Sequence, residues 1–283
     1  MALLLEGWCQ RLVAQGCAFW FGAVAAPATL AAPIEIPATE VTLTAHWLPA
    51  AGSGPRPTIV ALHGCGGMYA RDGKTLSQRM TDYAQRFNAA GWNVLIPDSL
   101  GARGLRSICT QRYSERSLTV EVRRTDVQAA LAWLTARPEV DAQRIAVVCC
   151  SNGGSTALLA ADTSAGALPL RATVAFYPGC REAQSNRNYA LAAPLLMLLG
   201  AADDWTPPAR CLQLAERLRA RGAPVEVQAY PGAYHGFDGT DPVRLRTDVP
   251  NGVSKNGVHI GGDPAARAAA LQALDEFLRK NLE

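Results

Sequence analysis

The residues best suited to chemistry in this chain fall where apolar runs end. Ser151 stands in Arg144-Ile-Ala-Val-Val-Cys-Cys-Ser-Asn-Gly-Gly-Ser155, where the apolar, mostly β-branched run Ile145 to Val148 gives way to small residues and then to helix-forming Thr156-Ala-Leu-Leu-Ala-Ala161. Strand, tight turn and helix in that order make a nucleophile elbow, which holds a hydroxyl out on a crowded backbone and needs small residues two before and two after it. Gly153 meets that need downstream, and Cys149 stands upstream where glycine is usual. These residues alone are equally compatible with a buried strand that ends in a glycine-rich turn and does no chemistry.

Serine needs a base within hydrogen-bond reach, itself oriented by a third group. Of the four histidines, His46, His63, His235 and His259, only His235 follows the last strand-like run by a short turn, in Tyr230-Pro-Gly-Ala-Tyr-His-Gly-Phe-Asp238. Asp203, in Gly200-Ala-Ala-Asp203, is the preferred acid, with Asp204 the adjacent competitor and Asp98 and Asp238 weaker ones. The order Ser, Asp, His is that of the α/β-hydrolase arrangement. Two backbone N–H donors are expected to face a developing oxyanion: that of Asn152 at the start of the helix, and that of Cys65 in the turn His63-Gly-Cys-Gly-Gly67. His63 is read as a brace for this turn. The histidines show no metal-ligand spacing such as His-x-x-x-His, so no metal is expected.

The elements that must position these residues are legible as alternating strands and helices. Strands are expected over Val41–Trp47 at an edge, Pro57–Leu62, Trp92–Ile96, the run before Ser151, Ala172–Tyr177, Pro194–Leu199 and Val225–Tyr230. Helices are expected over Leu76–Ala90, Leu118–Ala136, the segment after the elbow, from Thr206 as N-cap and Pro207 as first residue to about Arg221, and Pro264–Leu282. Strands that are apolar throughout, separated by helices, indicate a mostly parallel central sheet covered on both faces. Ligands of such sheets sit beyond the carboxyl ends of the strands, where the candidate residues lie. Residues 100 to 116 and 239 to 262 read as long loops over that end.

A chain of 283 residues, 49% hydrophobic and 18% charged, can bury one large core and is not disordered. A net charge of +3 is too small to argue for nucleic acid or an anionic membrane surface. Arg11 precedes the apolar, small-residue-rich stretch Cys17–Ala26, and residues 1–31 read as a secretory signal with cleavage after Ala25 or Ala31, which predicts a periplasmic or secreted protein with no later membrane span. Residues 32–283 then form a single domain. Beyond the signal six cysteines remain; on neighbouring loops at one end of the sheet, Cys65 is expected to pair with Cys109 and Cys180 with Cys211, while Cys149 and Cys150 act as small buried apolar residues.

Together Leu62-His-Gly-Cys-Gly-Gly67, Pro97-Asp-Ser99, Cys150-Ser-Asn-Gly-Gly154, Phe176-Tyr-Pro-Gly179, Gly200-Ala-Ala-Asp-Asp-Trp205 and Tyr230-Pro-Gly-Ala-Tyr-His-Gly-Phe237 resemble the dienelactone hydrolase family of the α/β-hydrolase superfamily. The resemblance spans residue 40 to the C-terminus. It implies a hydrolase without a cofactor that acts on a small-molecule ester or lactone through an acyl-enzyme. The family's namesake uses cysteine as nucleophile and has a glutamate in the first oxyanion loop; here the register puts Ser151 at that place, and His63 to Met68 contains no glutamate. Arg103 lies close to where the family places an arginine for a substrate carboxylate, with pairing to a local acid such as Asp98 as the alternative. An acyltransferase or peptidase would use the same residues, and a non-catalytic binding protein on the same scaffold is the further alternative that Cys149 leaves open.

Overall fold

The computed structural model describes residues 32–283, so the expected signal segment lies outside the described residues. The chain order is β1 (Ile34–Pro37), β2 (Thr42–Leu48), β3 (Arg56–Leu62), α1 (Gln78–Ala89), β4 (Asn93–Asp98), α2 (Val120–Thr135), β5 (Val140–Cys150) and α3 (Ser151–Ala161). It continues with β6 (Ala172–Phe176), α4 (Arg181–Ser185), β7 (Leu195–Gly200), α5 (Ala209–Ala220), β8 (Val225–Tyr230), β9 (Arg244–Arg246), β10 (Val258–Ile260) and α6 (Pro264–Leu282). One eight-stranded sheet runs β1-β2-β4-β3-β5-β6-β7-β8. β1, β2 and β4 pair antiparallel at one edge, and every pairing from β4 onward is parallel. This is the α/β-hydrolase fold expected from the alternation of apolar runs and helices.

The pleat sorts the core. Alternate residues of a strand face opposite sides, and along β7 Leu196 and Leu198 join one buried cluster while Leu195, Met197 and Leu199 join another. The first cluster takes Met80, Tyr83 and Phe87 of α1 and Leu274, Phe277 and Leu278 of α6; the second takes Leu214, Ala215 and Leu218 of α5. Ion pairs Arg86–Asp275 at 2.6 Å and Arg267–Asp82 at 3.0 Å bind α1 to α6 along their partly exposed flank. Among the described residues no helix is long and apolar enough to cross a membrane.

Several boundaries differ from the sequence reading. The Pro/Ala-rich stretch before Val41 contains β1, whose Ile36 is fully buried against the edge, so tertiary pairing overrides the local linker composition. α2 starts two residues late, capped by the Thr119 hydroxyl accepting from the Val122 N–H. Thr206 does not cap a helix: α5 begins at Ala209 after Pro207 and Pro208, because the Thr206 hydroxyl is engaged at Asp203 and the Tyr177 carbonyl. The segment after the last strand is not wholly irregular either, since β9 and β10 form a small antiparallel hairpin.

Both expected disulfides are formed, Cys65–Cys109 and Cys180–Cys211. The second closes a loop with a sequence separation of 31 and lies wholly buried between β6 and α5. Its replacement in the double variant Cys180→Ala, Cys211→Ala is expected to cost about 2 to 4 kcal/mol. A urea midpoint that does not fall, at unchanged slope, would refute this.

Candidate active site

Ser151 is the first residue of α3 and has φ of 55°, one of two non-glycine residues with positive φ among the described residues. The left-handed conformation of a serine at the β5–α3 turn is the signature of an elbow. The turn is crowded as its residue types demanded. A Cβ on Gly153 would lie 2.5 Å from Cys149 Sγ and 2.5 Å from the His63 carbonyl oxygen, so only glycine fits two residues after Ser151. Cys149, two before it, is accommodated with its thiol donating to the Leu62 carbonyl.

Three strand ends converge on the serine. His235 Nε2 lies 2.9 Å from Ser151 Oγ, and His235 Nδ1 lies 2.9 Å from Asp203 Oδ2. Both His235 and Asp203 are buried. The other Asp203 oxygen accepts from the Trp205 and Thr206 N–H groups at 2.9 and 2.8 Å, which fixes the carboxylate plane. The Thr206 hydroxyl stands 2.9 Å from Asp203 Oδ2 and 3.1 Å from His235 Nδ1. Tyr177 packs edge-on and Trp205 at a tilt against the imidazole, with ring centroids at 4.7 and 4.6 Å. The competing acids are committed elsewhere. Asp204 holds His259 Nδ1 at 2.7 Å, Asp238 accepts from the Tyr83 hydroxyl at 2.8 Å and from Arg79 at 3.1 Å, and Asp98 accepts from the Leu100 and Gly101 N–H groups.

The loop after β3 backs onto the serine. A Cβ on Gly64 would stand 3.7 Å from Ser151 Cβ, and Cys65 lines the same cleft as Ser151 and Asn152. Among the described residues the Cys65 N–H has no hydrogen-bond acceptor, and the Asn152 N–H belongs to the first turn of α3, where no intrahelical partner exists. His63 braces this loop. Its Nδ1–H donates to the Gly64 carbonyl at 2.8 Å and its Nε2 accepts from the Ser99 N–H at 3.2 Å. Burial, reinforced by the neighbouring Arg123 charge, drives the His63 pKa down to about 3, so the contact to Asp98 at 3.7 Å is not an ion pair at neutral pH.

Arg123 and Thr206 were missed by sequence reasoning. Arg123 is fully buried in α2 and donates to Asn152 Oδ1 at 2.6 Å and to the His63 carbonyl at 2.8 Å, joining both walls of the cleft. The signal was there: Val120, Arg123, Val127 and Leu131 share helical spacing, so an arginine sits in the apolar stripe. Arg103 is not brought to the cleft. Its guanidinium makes two hydrogen bonds of 2.9 Å with Asp126 and one with the Ser99 carbonyl, which spends its fork on structure; the acid is Asp126 and not Asp98. The arginines lining the cleft are Arg116 and Arg181. Cys150 is buried at the end of β5 and does not line the cleft. A larger cavity of about 740 Å³ lies between α1 and α6 and is lined by Asp238 but by none of Ser151, Asp203 and His235.

The depressed His63 pKa has a consequence for stability. Between pH 3 and 6.5 the unfolded chain binds a proton that the folded one excludes, so this contribution is complete above pH 6.5 and lost as pH falls. Thermal midpoints measured from neutral pH to about pH 4 should drop less steeply in His63→Gln than in the wild type. Equal slopes would show that His63 does not carry this dependence.

Comparison with known proteins places the fold in a family. The profile of the dienelactone hydrolase family matches residues 44–282. A protein provisionally assigned as a carboxymethylenebutenolidase in Methylorubrum extorquens is 28% identical over 222 residues, 74% of this chain and 72% of its own. Among solved structures, a dienelactone hydrolase-like promiscuous phosphotriesterase from metagenomic libraries superposes with a TM-score of 0.64 at 22% identity, covering 89% of this chain and 98% of its own. Esterase 2 of Thermogutta terrifontis, phosphorylated by paraoxon, gives 0.62 at 18% identity over 88% and 93%. With the elbow, the strand-end histidine and the acid turn in place, and the family profile covering nearly all the described residues, the chain belongs to the dienelactone hydrolase family.

Proposed function

We propose that this protein is a serine hydrolase that cleaves a carboxylic ester or lactone through an acyl-enzyme. The observation that carries the reading is the unbroken relay from Ser151 Oγ through His235 to Asp203, with both links at 2.9 Å. Ser151 Oγ attacks the carbonyl carbon while His235 Nε2 takes its proton. Asp203 holds the Nδ1–H and stabilises the imidazolium. The carbonyl oxygen, now an anion, accepts from the Cys65 and Asn152 N–H groups, each worth roughly 3 to 4 kcal/mol to the transition state. His235 then protonates the leaving alkoxide. A water molecule, deprotonated by the same nitrogen, releases the acid and returns Ser151. The thiol one residue earlier, Cys150, is buried at the end of β5 and outside the cleft, which leaves Ser151 as the nucleophile of this reading.

The cleft over Ser151 has a volume of about 170 Å³ and is walled by Tyr113, Leu118, Val120 and Trp205. Ligand cavities commonly run from about 300 to 1,000 Å³, so this one suits a small acyl group. Two disulfides support work in an oxidising compartment, in keeping with the export signal read in residues 1–31.

A fluorophosphonate should label the folded protein once, on the peptide containing Ser151. Ser151→Ala should keep the circular dichroism spectrum and lose about 10⁴-fold or more in kcat/KM on p-nitrophenyl acetate. Label on Cys150, or full activity in Ser151→Ala, would refute the mechanism. Across p-nitrophenyl esters, kcat/KM should fall by about tenfold or more from butyrate to octanoate; a rise with chain length would refute the small acyl pocket.

A further inference from the structure

Within the proposed hydrolase mechanism one donor of the oxyanion hole is not fixed by a helix. Asn152 is held by α3 and by Arg123 on its side chain, but Cys65 lies in an irregular loop past the end of β3. Its peptide is fastened from the outside. The Cys65 carbonyl accepts from the Ile108 N–H at 2.8 Å, and its sulfur is bonded to Cys109. The approach of the two segments is close throughout: a Cβ on Gly67 would meet the Arg106 carbonyl oxygen at 2.9 Å.

The segment on the other end of that bond is part of the cleft. After Cys109 the chain continues through Tyr113, Arg116 and Leu118, which line the space over Ser151. It is itself pinned, with the Asn251 side chain donating to the Gln111 carbonyl at 2.8 Å and accepting from the Tyr113 N–H at 3.1 Å. Cys65, Cys109, Ile108, Leu118 and Trp205 share one small buried cluster, separate from the two that hold the sheet. One covalent bond therefore joins a proposed oxyanion donor to the substrate-facing wall, inside a small buried cluster of its own.

We propose that the Cys65–Cys109 disulfide positions the oxyanion hole, making Cys109 a positioning residue for the reaction at Ser151. This rests on the serine hydrolase reading above. The peptide that carries the Cys65 N–H is held at its Gly64 carbonyl by His63 at 2.8 Å, and the following peptide by the Ile108 N–H; the disulfide adds a covalent tie between this loop and the cleft wall, and without it the loop is free to shift against that wall. Ground-state binding of a small ester depends on the cleft walls, whereas the aim of the N–H matters when the oxygen becomes an anion, so the loss falls on kcat.

The test is Cys109→Ala in the full chain, with active sites counted by the p-nitrophenol burst so that rates refer to competent molecules. The kcat per titrated site should fall roughly 10- to 100-fold, with KM within about threefold of wild type. Affinity for an aryl trifluoromethyl ketone, whose hemiketal with Ser151 places an oxyanion in the hole, should fall in parallel. A purely structural bond would lower the melting temperature and the number of titratable sites while leaving both readouts unchanged, and that result overturns the proposal. Failure of a fluorophosphonate to label Ser151 in the wild type would overturn the underlying mechanism as well, whereas a labelled wild type with an unchanged variant overturns the positioning role alone. Should Cys109→Ala fail to fold, wild type is treated with dithiothreitol, which gives two electrons and two protons to the bond and is left as a cyclic disulfide. Loss of kcat that follows alkylation of Cys65 and Cys109 supports the proposal; loss that follows Cys180 and Cys211 overturns it.

Discussion

One backbone torsion governs the carboxyl edge of the sheet. Holding Ser151 at φ 55° costs of order 1 to 3 kcal/mol, and the surroundings must over-determine it. They do so from both sides. β5 is paired on each edge, with β3 and with β6, up to the last residues before the turn. α3 begins at the serine itself and is pressed so close to the sheet that Gly153 has no room for a side chain. The neighbouring strand ends then inherit their geometry: the turn after β7 carries Asp203, the turn after β8 carries His235, and the turn after β3 carries Cys65.

Polar groups behind the serine are arranged to leave none of the principal ones in the wrong state. His63 is kept neutral by burial and by Arg123, so it can donate to Gly64 and accept from Ser99 at once. Arg123 spends its guanidinium on the His63 carbonyl and the Asn152 side chain, tying α2 to the two segments that present the free N–H groups. Tyr83 and Tyr177 converge on Asp238, and burial pushes both phenols well above their ordinary range, so they serve as fixed donors.

The central sheet and the meeting of Ser151, Asp203 and His235 were legible because Ser151 and Asp203 follow strongly apolar runs and His235 follows the last strand by a short turn, and the fold rule sends such residues to one edge. What was not legible depended on partners distant in sequence. β1 has linker composition and becomes a strand only by pairing with β2. Thr206-Pro207 has the local pattern of a helix start, yet the hydroxyl is taken by the acid turn. Arg103 was placed by family analogy, and the carboxylate that claims it, Asp126, comes from α2, 23 residues on. Arg123 could have been found, since a charge in an apolar stripe requires a buried partner.

Consecutive aspartates after β7 serve two different histidines. Asp203 faces His235 at the serine, while Asp204 accepts from the His259 N–H at 2.8 Å and holds its ring at 2.7 Å, and His259 belongs to β10 in the hairpin excursion. The excursion is thus moored one residue from Asp203, and it reaches His235 as well, whose carbonyl accepts from the Gly261 N–H at 3.0 Å. Such an arrangement confines what can vary: the tip of the hairpin can lengthen, shorten or change its face toward solvent, but the two mooring points at Asp204 and His235 must keep their place if the hydrogen bonds around Ser151 are to stay as they are.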